Sequence, residues 1–329
     1  MSSRLGDDRS ATAVAAPRLS VSALPAAKLA LTPRLWALLF LLGLLWGGSF
    51  FFTQIAIREI APLPLVAIRV GLAAFALLVF LPLARQSMAP LRERALAFLG
   101  LGLVSNAIPF LLLAIGQQTI GGGLAAILNA TTPLWTILVA TLATRDERLS
   151  PNKLAGVALG LGGVAVLVGP EAISGGSGAP LTAVIVILGA TLSYACAGVY
   201  AKRFRGVPPV VVAAGQLCGS STVMVPLALV TAGWPSLAAL QALSAGAIAA
   251  MLALALVSTA FAYILYFELV AGAGATNASL VTFLVPASAI LLGILVLGET
   301  LAIREIFGFA LILVGLVAVD GRWWRGRTA

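Results

Sequence analysis

Residues 121–169 read GGGLAAILNATTPLWTILVATLATRDERLSPNKLAGVALGLGGVAVLVG, and residues 274–320 read GATNASLVTFLVPASAILLGILVLGETLAIREIFGFALILVGLVAVD. Each stretch places small residues before an apolar run, a proline within that run, a glutamate at its end and spaced glycines in a second apolar run. The prolines are Pro133 and Pro286, and the glutamates are Glu147 and Glu299. Because the spacing from proline to glutamate differs by only one residue, we interpret the two stretches as an internal repeat.

The apolar runs of this repeat are as long as membrane spans, since a helix needs about 20 apolar residues to cross a bilayer. Outward from the repeat, the sequence contains ten such runs. The predicted spans cover residues 35–57, 63–83, 95–115, 121–143, 152–169, 181–200, 208–230, 243–267, 276–297 and 301–319. The composition, with 61% hydrophobic and 9% charged residues, is that of a membrane protein rather than a soluble one. We predict an all-α membrane protein with ten transmembrane helices.

The repeat divides the chain into two units of five spans. We predict a disordered cytoplasmic tail at residues 1–33, one five-helix repeat at 34–170, a second at 181–320 and a cytoplasmic tail at 321–329. Because five is an odd number, the second repeat enters the membrane in the opposite orientation to the first. Inverted repeats related by an axis in the membrane plane are typical of secondary transporters, so the pattern favours transport.

The net charge of +9 is explained by membrane topology. Seventeen of the 20 Lys and Arg residues fall in the tails and in loops on one side of the predicted spans. The positive-inside rule then places both termini in the cytoplasm, and the basic excess implies no nucleic-acid partner. The first apolar run is too long for a signal-peptide core, so we expect a retained helix.

Other classes of function find little support in the sequence. The chain has no histidine, and its two cysteines, Cys196 and Cys218, lie within spans, so neither a metal site nor a cofactor is implied. We find no nucleophile elbow and no complete nucleotide-binding loop, which argues against an enzyme and against an ATP-driven pump. A sensory or structural membrane protein remains an alternative, although no sizeable soluble domain is present to carry a signal.

Arg69 is the only charge well inside a predicted span, and an ionisable residue there is a functional candidate by default. The alternatives are that its side chain reaches the outer surface or pairs with Glu59, Glu299 or Glu305. If it lines a cavity, its planar guanidinium would bind an anionic group such as a carboxylate.

Polar and aromatic side chains at helical spacing indicate a polar interior, although any single one could serve only helix packing. The candidates for lining a substrate cavity are Trp46, Arg69, Asn106, Phe110, Gln117, Asn129, Tyr194, Gln216, Tyr263 and Asn277. The candidates for kinks or gates are Pro133, Pro286, Glu147, Glu268 and Glu299. We interpret Glu147 and Glu299 mainly as interfacial or gate-loop residues, with ion pairs to nearby arginines as the alternative. With no acidic residue near the predicted midplane, facilitated export or weakly coupled exchange is expected. Glu268 and the glutamates at the span ends are the candidates for proton coupling.

The chain resembles the ten-helix drug/metabolite transporter superfamily, and within it the EamA-type transporters. The resemblance covers about residues 35–319 and rests on LLWGGSFFFTQIAI (44–57), VAIRVGLAAFALL (66–78), LAAILNATTPLWTILVATLATRDERLS (124–150), ATNASLVTFLVPASAILLGILVLGETL (275–301) and GFALILVGLVAV (308–319). It implies a central cavity open to one side at a time, and export of amino acids or related metabolites across a bacterial inner membrane. The expected partners are a small-molecule substrate and the lipid bilayer, and the oligomeric state is left open between monomer and homodimer. The sequence DER at 146–148 departs from the family's more usual Gly-Glu pair, which is present at Gly298-Glu299.

Overall fold

The computed structural model describes residues 32–143, 150–169, 179–231, 236, 238 and 241–320. Within these ranges all regular secondary structure is helical, as predicted. The predicted N-terminal tail up to residue 31, the predicted C-terminal tail and Glu147 lie outside the described residues.

We number the long helices in chain order. They are α1 (Pro33–Ala56), α2 (Pro62–Leu83), α3 (Ala95–Gly116), α4 (Gly122–Ala143), α5 (Pro151–Val168), α6 (Leu181–Phe204), α7 (Pro209–Val230), α8 (Ala245–Ala273), α9 (Val281–Leu297) and α10 (Ile303–Asp320). Short helices at Ala89–Glu93 and Ala275–Ala278 precede α3 and α9.

Eight of these helices, α1 to α8, are long and apolar enough to cross a membrane, and α9 is a shorter apolar helix. In the described part of the chain, ten predicted spans thus correspond to eight helices of spanning length and composition, followed by α9 and α10. The largest difference is at the end of α8, which continues to Ala273 instead of ending near residue 267. There Gly274 takes a φ of 79° and ends the helix.

The helix ends follow from local sequence. Thr32 and Ser244 precede α1 and α8, and their hydroxyl oxygens accept hydrogen bonds from backbone N–H groups of the first turn at 3.3 and 3.1 Å. Gly169 and Gly298 follow α5 and α9 with φ values of 69° and 68°, a conformation that favours glycine. These residues fix the starts of α1 and α8 and the ends of α5 and α9.

Helices α5 and α10 meet at paired glycines. A Cβ atom at Gly163 would lie 2.7 Å from the carbonyl oxygen of Gly308, and one at Gly308 would lie 2.6 Å from the carbonyl oxygen of Gly163. Gly156 and Gly315 are related in the same reciprocal way, at 2.6 Å each. The two backbones are therefore in direct contact, which only residues without a side chain permit.

The first five helices pack against the second five along several lines. The principal neighbours are α1 with α9, α4 with α6, α2 with α7, α3 with α7, α2 with α8, α3 with α6, α1 with α8, α4 with α9 and α5 with α10. Large apolar side chains cover the outside of this bundle; Phe75, Leu96, Leu142 and Leu295 are all more than two-thirds exposed. That outer surface suits contact with lipid.

Five places in the described residues depart from regular α-helix, and one of them is the 3₁₀ turn Ala201–Phe204 at the end of α6. Residues 103–107 of α3 and 253–261 of α8 form wider π-helical turns. Helix α4 breaks at residues 130–131, just before Pro133, and the freed carbonyl of Asn129 accepts a hydrogen bond from the Thr132 hydroxyl at 2.8 Å. The chain also turns at residues 279–280 before α9 begins, so this break precedes Pro286, which lies inside α9.

Candidate functional site

A cavity of about 520 Å³ lies among α1, α2, α3, α4, α6, α7, α8 and α9. Its aromatic lining consists of Trp46, Phe50, Phe110, Tyr194, Tyr263, Tyr266 and Phe267. Its polar lining consists of Ser49, Arg69, Ser105, Asn129, Thr132, Gln216, Ser258, Thr259 and Thr282. No residue lining this cavity in the described part of the chain is acidic.

Arg69 reaches this cavity from α2 and is only 7% exposed. Its Nε donates a hydrogen bond to the Thr259 hydroxyl oxygen at 3.0 Å. Its guanidinium carbon lies 3.6 Å from the centre of the Phe110 ring, in a cation–π contact. The Thr259 hydroxyl in turn donates to the Leu254 carbonyl at 2.7 Å, a bond made within the π-helical turn of α8. The side chain is thus held inside the bundle rather than at the surface.

The three carboxylates considered as partners for Arg69 are engaged elsewhere. Glu59 accepts hydrogen bonds from the Ser244 N–H at 2.8 Å and from the Ser244 hydroxyl at 2.6 Å. Glu305 accepts one from the Ala302 N–H at 2.9 Å. Glu299 binds the start of α4. Because Arg69 is buried, its side chain does not reach the outer surface, and the expected alternative of snorkelling is wrong. Among the described residues, no carboxylate lies within ion-pair distance of Arg69, so the expected alternative of ion pairing is also wrong.

A chain of side-chain hydrogen bonds joins α3, α7 and α8 beside the cavity. The Tyr263 hydroxyl donates to Asn106 Oδ1 at 3.1 Å, and Asn106 Nδ2 donates to the Ser105 oxygen at 3.2 Å. The Ser105 hydroxyl lies 2.9 Å from Gln216 Oε1 and 2.6 Å from the carbonyl oxygen of Leu101. Asn106 is fully buried behind Tyr263 and does not line the cavity.

Aromatic rings form one wall of the cavity. Trp46 of α1 and Tyr266 of α8 have ring centres 5.3 Å apart, and Trp46 also meets Tyr263 edge-on at 6.5 Å. Phe267 packs on both tyrosines, at 6.2 Å from Tyr263 and 5.3 Å from Tyr266. Such a wall favours an apolar or aromatic ligand body.

Two lining atoms have no hydrogen-bond partner among the described residues. They are Asn129 Oδ1, at the break in α4, and Ser258 Oγ, which lies in the π-helical turn of α8. Buried polar atoms are ordinarily paired, so these two buried atoms leave hydrogen-bonding capacity unused beside the cavity.

Glu299, between α9 and α10, lies against the start of α4. Its Oε1 accepts the N–H of Gly122 at 2.8 Å, and its Oε2 accepts the N–H of Gly123 at 3.0 Å. The first N–H groups of a helix have no partner within the helix, and that end carries partial positive charge. A Cβ at Gly121 would lie 2.9 Å from the carboxyl carbon of Glu299, so the glycines make room for the carboxylate. The described contacts of Glu299 are therefore a helix cap.

Seven of the ten sequence-predicted cavity residues line this one cavity. They are Trp46, Arg69, Phe110, Asn129, Tyr194, Gln216 and Tyr263. The other three do not. Asn106 lies behind Tyr263, Gln117 is buried and donates to the Leu113 carbonyl at 3.5 Å, and Asn277 donates to the Ala273 carbonyl at 3.0 Å. Among the gate candidates, Glu268 forms an exposed ion pair with Arg34.

Ser105, Ser258 and Phe267 also line the cavity, although the sequence pattern did not identify them. Ser105 and Ser258 lie in the π-helical turns, where the ordinary helical period of 3.6 residues no longer tells which residues share a face. Asn106, next to Ser105, was a candidate from the sequence pattern. In the described ranges, no group of three His, Cys, Asp or Glu residues is placed to hold a metal ion.

Comparisons with known proteins agree with this architecture. The model of the EamA-like transporter family matches residues 34–169 and again residues 181–319. The chain is 30% identical over 289 residues to the uncharacterized inner membrane transporter YedA of Escherichia coli (strain K12), covering 87% of this chain and 90% of that protein. It is 27% identical over 276 residues to a probable amino-acid metabolite efflux pump of Salmonella typhimurium (strain LT2), covering 82% and 89%.

The fold also has a counterpart among solved structures. A crystal structure with 19% sequence identity superposes with a TM-score of 0.61 over 87% of this chain and 97% of that one. At this identity the similarity concerns the fold alone.

Proposed function

Because the chain belongs to the EamA-like transporter family, and is therefore a multi-pass membrane transporter, we propose that it exports small organic metabolites by alternating access. The observation that carries this proposal is the cavity of about 520 Å³, enclosed by helices from both halves of the chain. Its size suits a small molecule, and its mixture of aromatic and hydrogen-bonding side chains is that of an organic ligand site. The Salmonella relative is named as an efflux pump for amino-acid metabolites, which supports the direction and suggests amino acids or related compounds.

The helix packing supports ten crossings in two inverted repeats. If each helix from α1 to α5 is exchanged with its counterpart from α6 to α10, the pair α1–α9 becomes α6–α4, and α3–α7 becomes α8–α2. The pair α3–α6 becomes α8–α1, whereas α2–α7, α4–α9 and α5–α10 each map onto themselves. The reciprocal glycine contacts between α5 and α10 follow the same exchange. A two-fold axis in the membrane plane accounts for all of these relations.

We assign both termini to the cytoplasm and the cavity mouth to the same side. Most basic residues lie in loops at that end, as the positive-inside rule requires of a cytoplasmic face. The cavity lining extends to the exposed Gly198 and to Ala201, which stands next to Lys202 and Arg203. The opposite end holds the Glu299 cap on α4. The structure is then an inward-facing state, and export requires release of that cap.

We further propose that transport is facilitated or weakly coupled to an ion gradient. The described residues that line the cavity include no carboxylate and no histidine, so no common proton carrier faces the substrate. Glu268 stands apart from the cavity lining, at the Arg34 ion pair.

Counterflow into proteoliposomes tests the proposal. Purified protein is reconstituted with an unlabelled solute inside, and uptake of the same labelled solute is followed for amino acids, aromatic carboxylates, sugars, nucleosides and amphiphilic cations. We expect saturable counterflow of at least one class, reduced at least about tenfold in Asn106→Ala/Tyr263→Ala, which removes the hydrogen-bond chain beside the cavity. Arg58→Gln, at an exposed position outside the cavity, is the matched control and should transport as wild type does.

Two outcomes would contradict the proposal. Folded protein that shows no counterflow with any class would indicate a sensory or structural role. Chemical conversion of the recovered solute would indicate an enzyme.

A further inference from the structure

We propose that Arg69 forms an anion subsite in this cavity, and that the ligand is a small monocarboxylate with an apolar or aromatic body. The inference rests on the proposed function in one respect, namely that the cavity is the site of transport. It goes further by naming the charge of the ligand and the group that recognises it.

One edge of the Arg69 guanidinium has no hydrogen-bond partner among the residues that the structure describes. Phe110 covers one face of the group, and Thr259 occupies Nε. The N–H bonds of a guanidinium lie in its plane, so stacking on a ring leaves them available. Among the described residues, no acceptor bonds the two Nη atoms of Arg69. The edge that binds a carboxylate through two parallel hydrogen bonds is therefore unoccupied.

The positive charge of Arg69 has no counter-charge among the described residues of the cavity. An arginine side chain keeps its proton in proteins, so the cavity contains a positive charge. No described lining residue is acidic, and Glu59, Glu299 and Glu305 are bonded to other donors. A buried charge without a partner is unfavourable, and the Phe110 ring compensates it only in part. A carboxylate ligand would supply the missing negative charge, whereas a cation would add to the unfavourable charge.

The arginine is held in place by Thr259. The Thr259 hydroxyl donates to the Leu254 carbonyl, so its remaining lone pairs are directed to Arg69. This arrangement needs the π-helical turn, which brings a side chain within reach of the carbonyl five residues earlier. Thr259 is accordingly a positioning residue for the subsite.

The remainder of the cavity fits an uncharged ligand body. The wall of Trp46, Tyr263, Tyr266 and Phe267 offers ring faces rather than charges, and it accommodates an apolar or aromatic body.

Three probes of nearly equal size test the charge preference. They are phenylacetate, the neutral phenylacetamide and the cationic phenethylamine, with dissociation constants measured by titration calorimetry on purified protein in detergent. For wild type we expect phenylacetate to bind at least about tenfold more tightly than phenylacetamide, because charge-assisted bidentate hydrogen bonds replace neutral ones. Phenethylamine should bind most weakly.

The variants separate the subsite from a general loss of folding. Arg69→Gln should bind phenylacetate and phenylacetamide equally, and Arg58→Gln should keep the wild-type ratio. Arg69→Lys keeps the charge but loses the planar fork, so its ratio should fall between those two. Thr259→Val should lower phenylacetate affinity and leave phenylacetamide affinity unchanged. If the Gln variant fails to fold, the Lys and Val variants test the subsite through the same affinity ratio.

Failure of this inference is distinguishable from failure of the proposed function. Equal binding of the three probes by wild type, no binding of phenylacetate, or a carboxylate preference retained in Arg69→Gln would overturn the subsite. Counterflow of neutral solutes would still establish transport in that case. Carboxylate-selective binding without counterflow of any solute would overturn transport and leave the subsite standing.

Discussion

The glycine contact between α5 and α10 leads to a prediction with a built-in control, because Gly162 and Gly163 are adjacent in one helix. A Cβ at Gly163 would lie 2.7 Å from the Gly308 carbonyl oxygen, whereas a Cβ at Gly162 would meet nothing within 4 Å. Reaching the 3.4 Å at which ordinary contact begins requires the helices to separate locally by about 0.7 Å. Overpacking of this kind costs about 1–3 kcal/mol. Alanine gains up to about 1 kcal/mol of helix preference at both positions, so this gain cancels between the two variants.

We therefore expect Gly163→Ala to be less stable than Gly162→Ala by about 1–3 kcal/mol, measured by denaturant unfolding in mixed micelles with circular dichroism. Gly308→Ala should lose stability as Gly163→Ala does, because its Cβ would lie 2.6 Å from the Gly163 carbonyl oxygen. In the double variant the loss should be smaller than the sum of the two single losses, since separation of the helices relieves both contacts. Equal stability of Gly162→Ala and Gly163→Ala would refute the close approach of the two backbones.

Three further predictions concern the carboxylates. Glu299→Gln should weaken closure of the outer end, because a neutral amide replaces the charged cap on Gly122. Thiol labelling of a cysteine introduced at the outer end of the cavity should then become faster. An unchanged labelling rate would contradict the gating role of Glu299. Hydrogen bonds from the side chain and backbone of Ser244 hold the pKa of Glu59 below its usual 4.5. The contribution of these hydrogen bonds to folding stability is therefore complete above pH 4.5 and disappears as the pH falls through the lowered pKa. Ser244→Ala should consequently lose more stability at neutral pH than in acid, and a pH-independent loss would argue against it. Glu268→Gln should leave the response of transport to a pH gradient unchanged, whereas loss of that response would identify Glu268 as a proton carrier.

Much of the fold could be predicted because membrane spans are determined by composition over about 20 residues. Hydropathy alone located α1 to α8. Residues such as Gly298 end a helix through their own backbone conformation, which is a local property of the sequence. Arg69 could be singled out because a charge in an apolar run is conspicuous. The cavity residues Trp46, Gln216 and Tyr263 could be identified, but their meeting at one cavity depends on long-range packing.

What could not be predicted depends on interactions between distant parts of the chain. The Glu299 carboxylate caps α4 across 177 residues of sequence, whereas the sequence offered only arginines as its partners. The π-helical turn of α8 changes which side chains share a face, so Ser258 was missed as a cavity-lining residue. Two prolines looked alike in sequence, yet Pro133 follows the break of α4, whereas Pro286 lies within continuous helix.

The proposed subsite has a consequence for the transport cycle. An empty carrier keeps the positive charge of Arg69 in the bundle without a counter-charge from the described lining, whereas a carrier loaded with a monocarboxylate is neutral at that site. Rearranging helices around an uncompensated charge in a medium of low dielectric constant is the costlier step. The loaded carrier should therefore change conformation faster than the empty one, and exchange should outpace net efflux. This asymmetry requires no proton carrier in the cavity, so an exchange rate above the net efflux rate in proteoliposomes is expected even without a pH gradient.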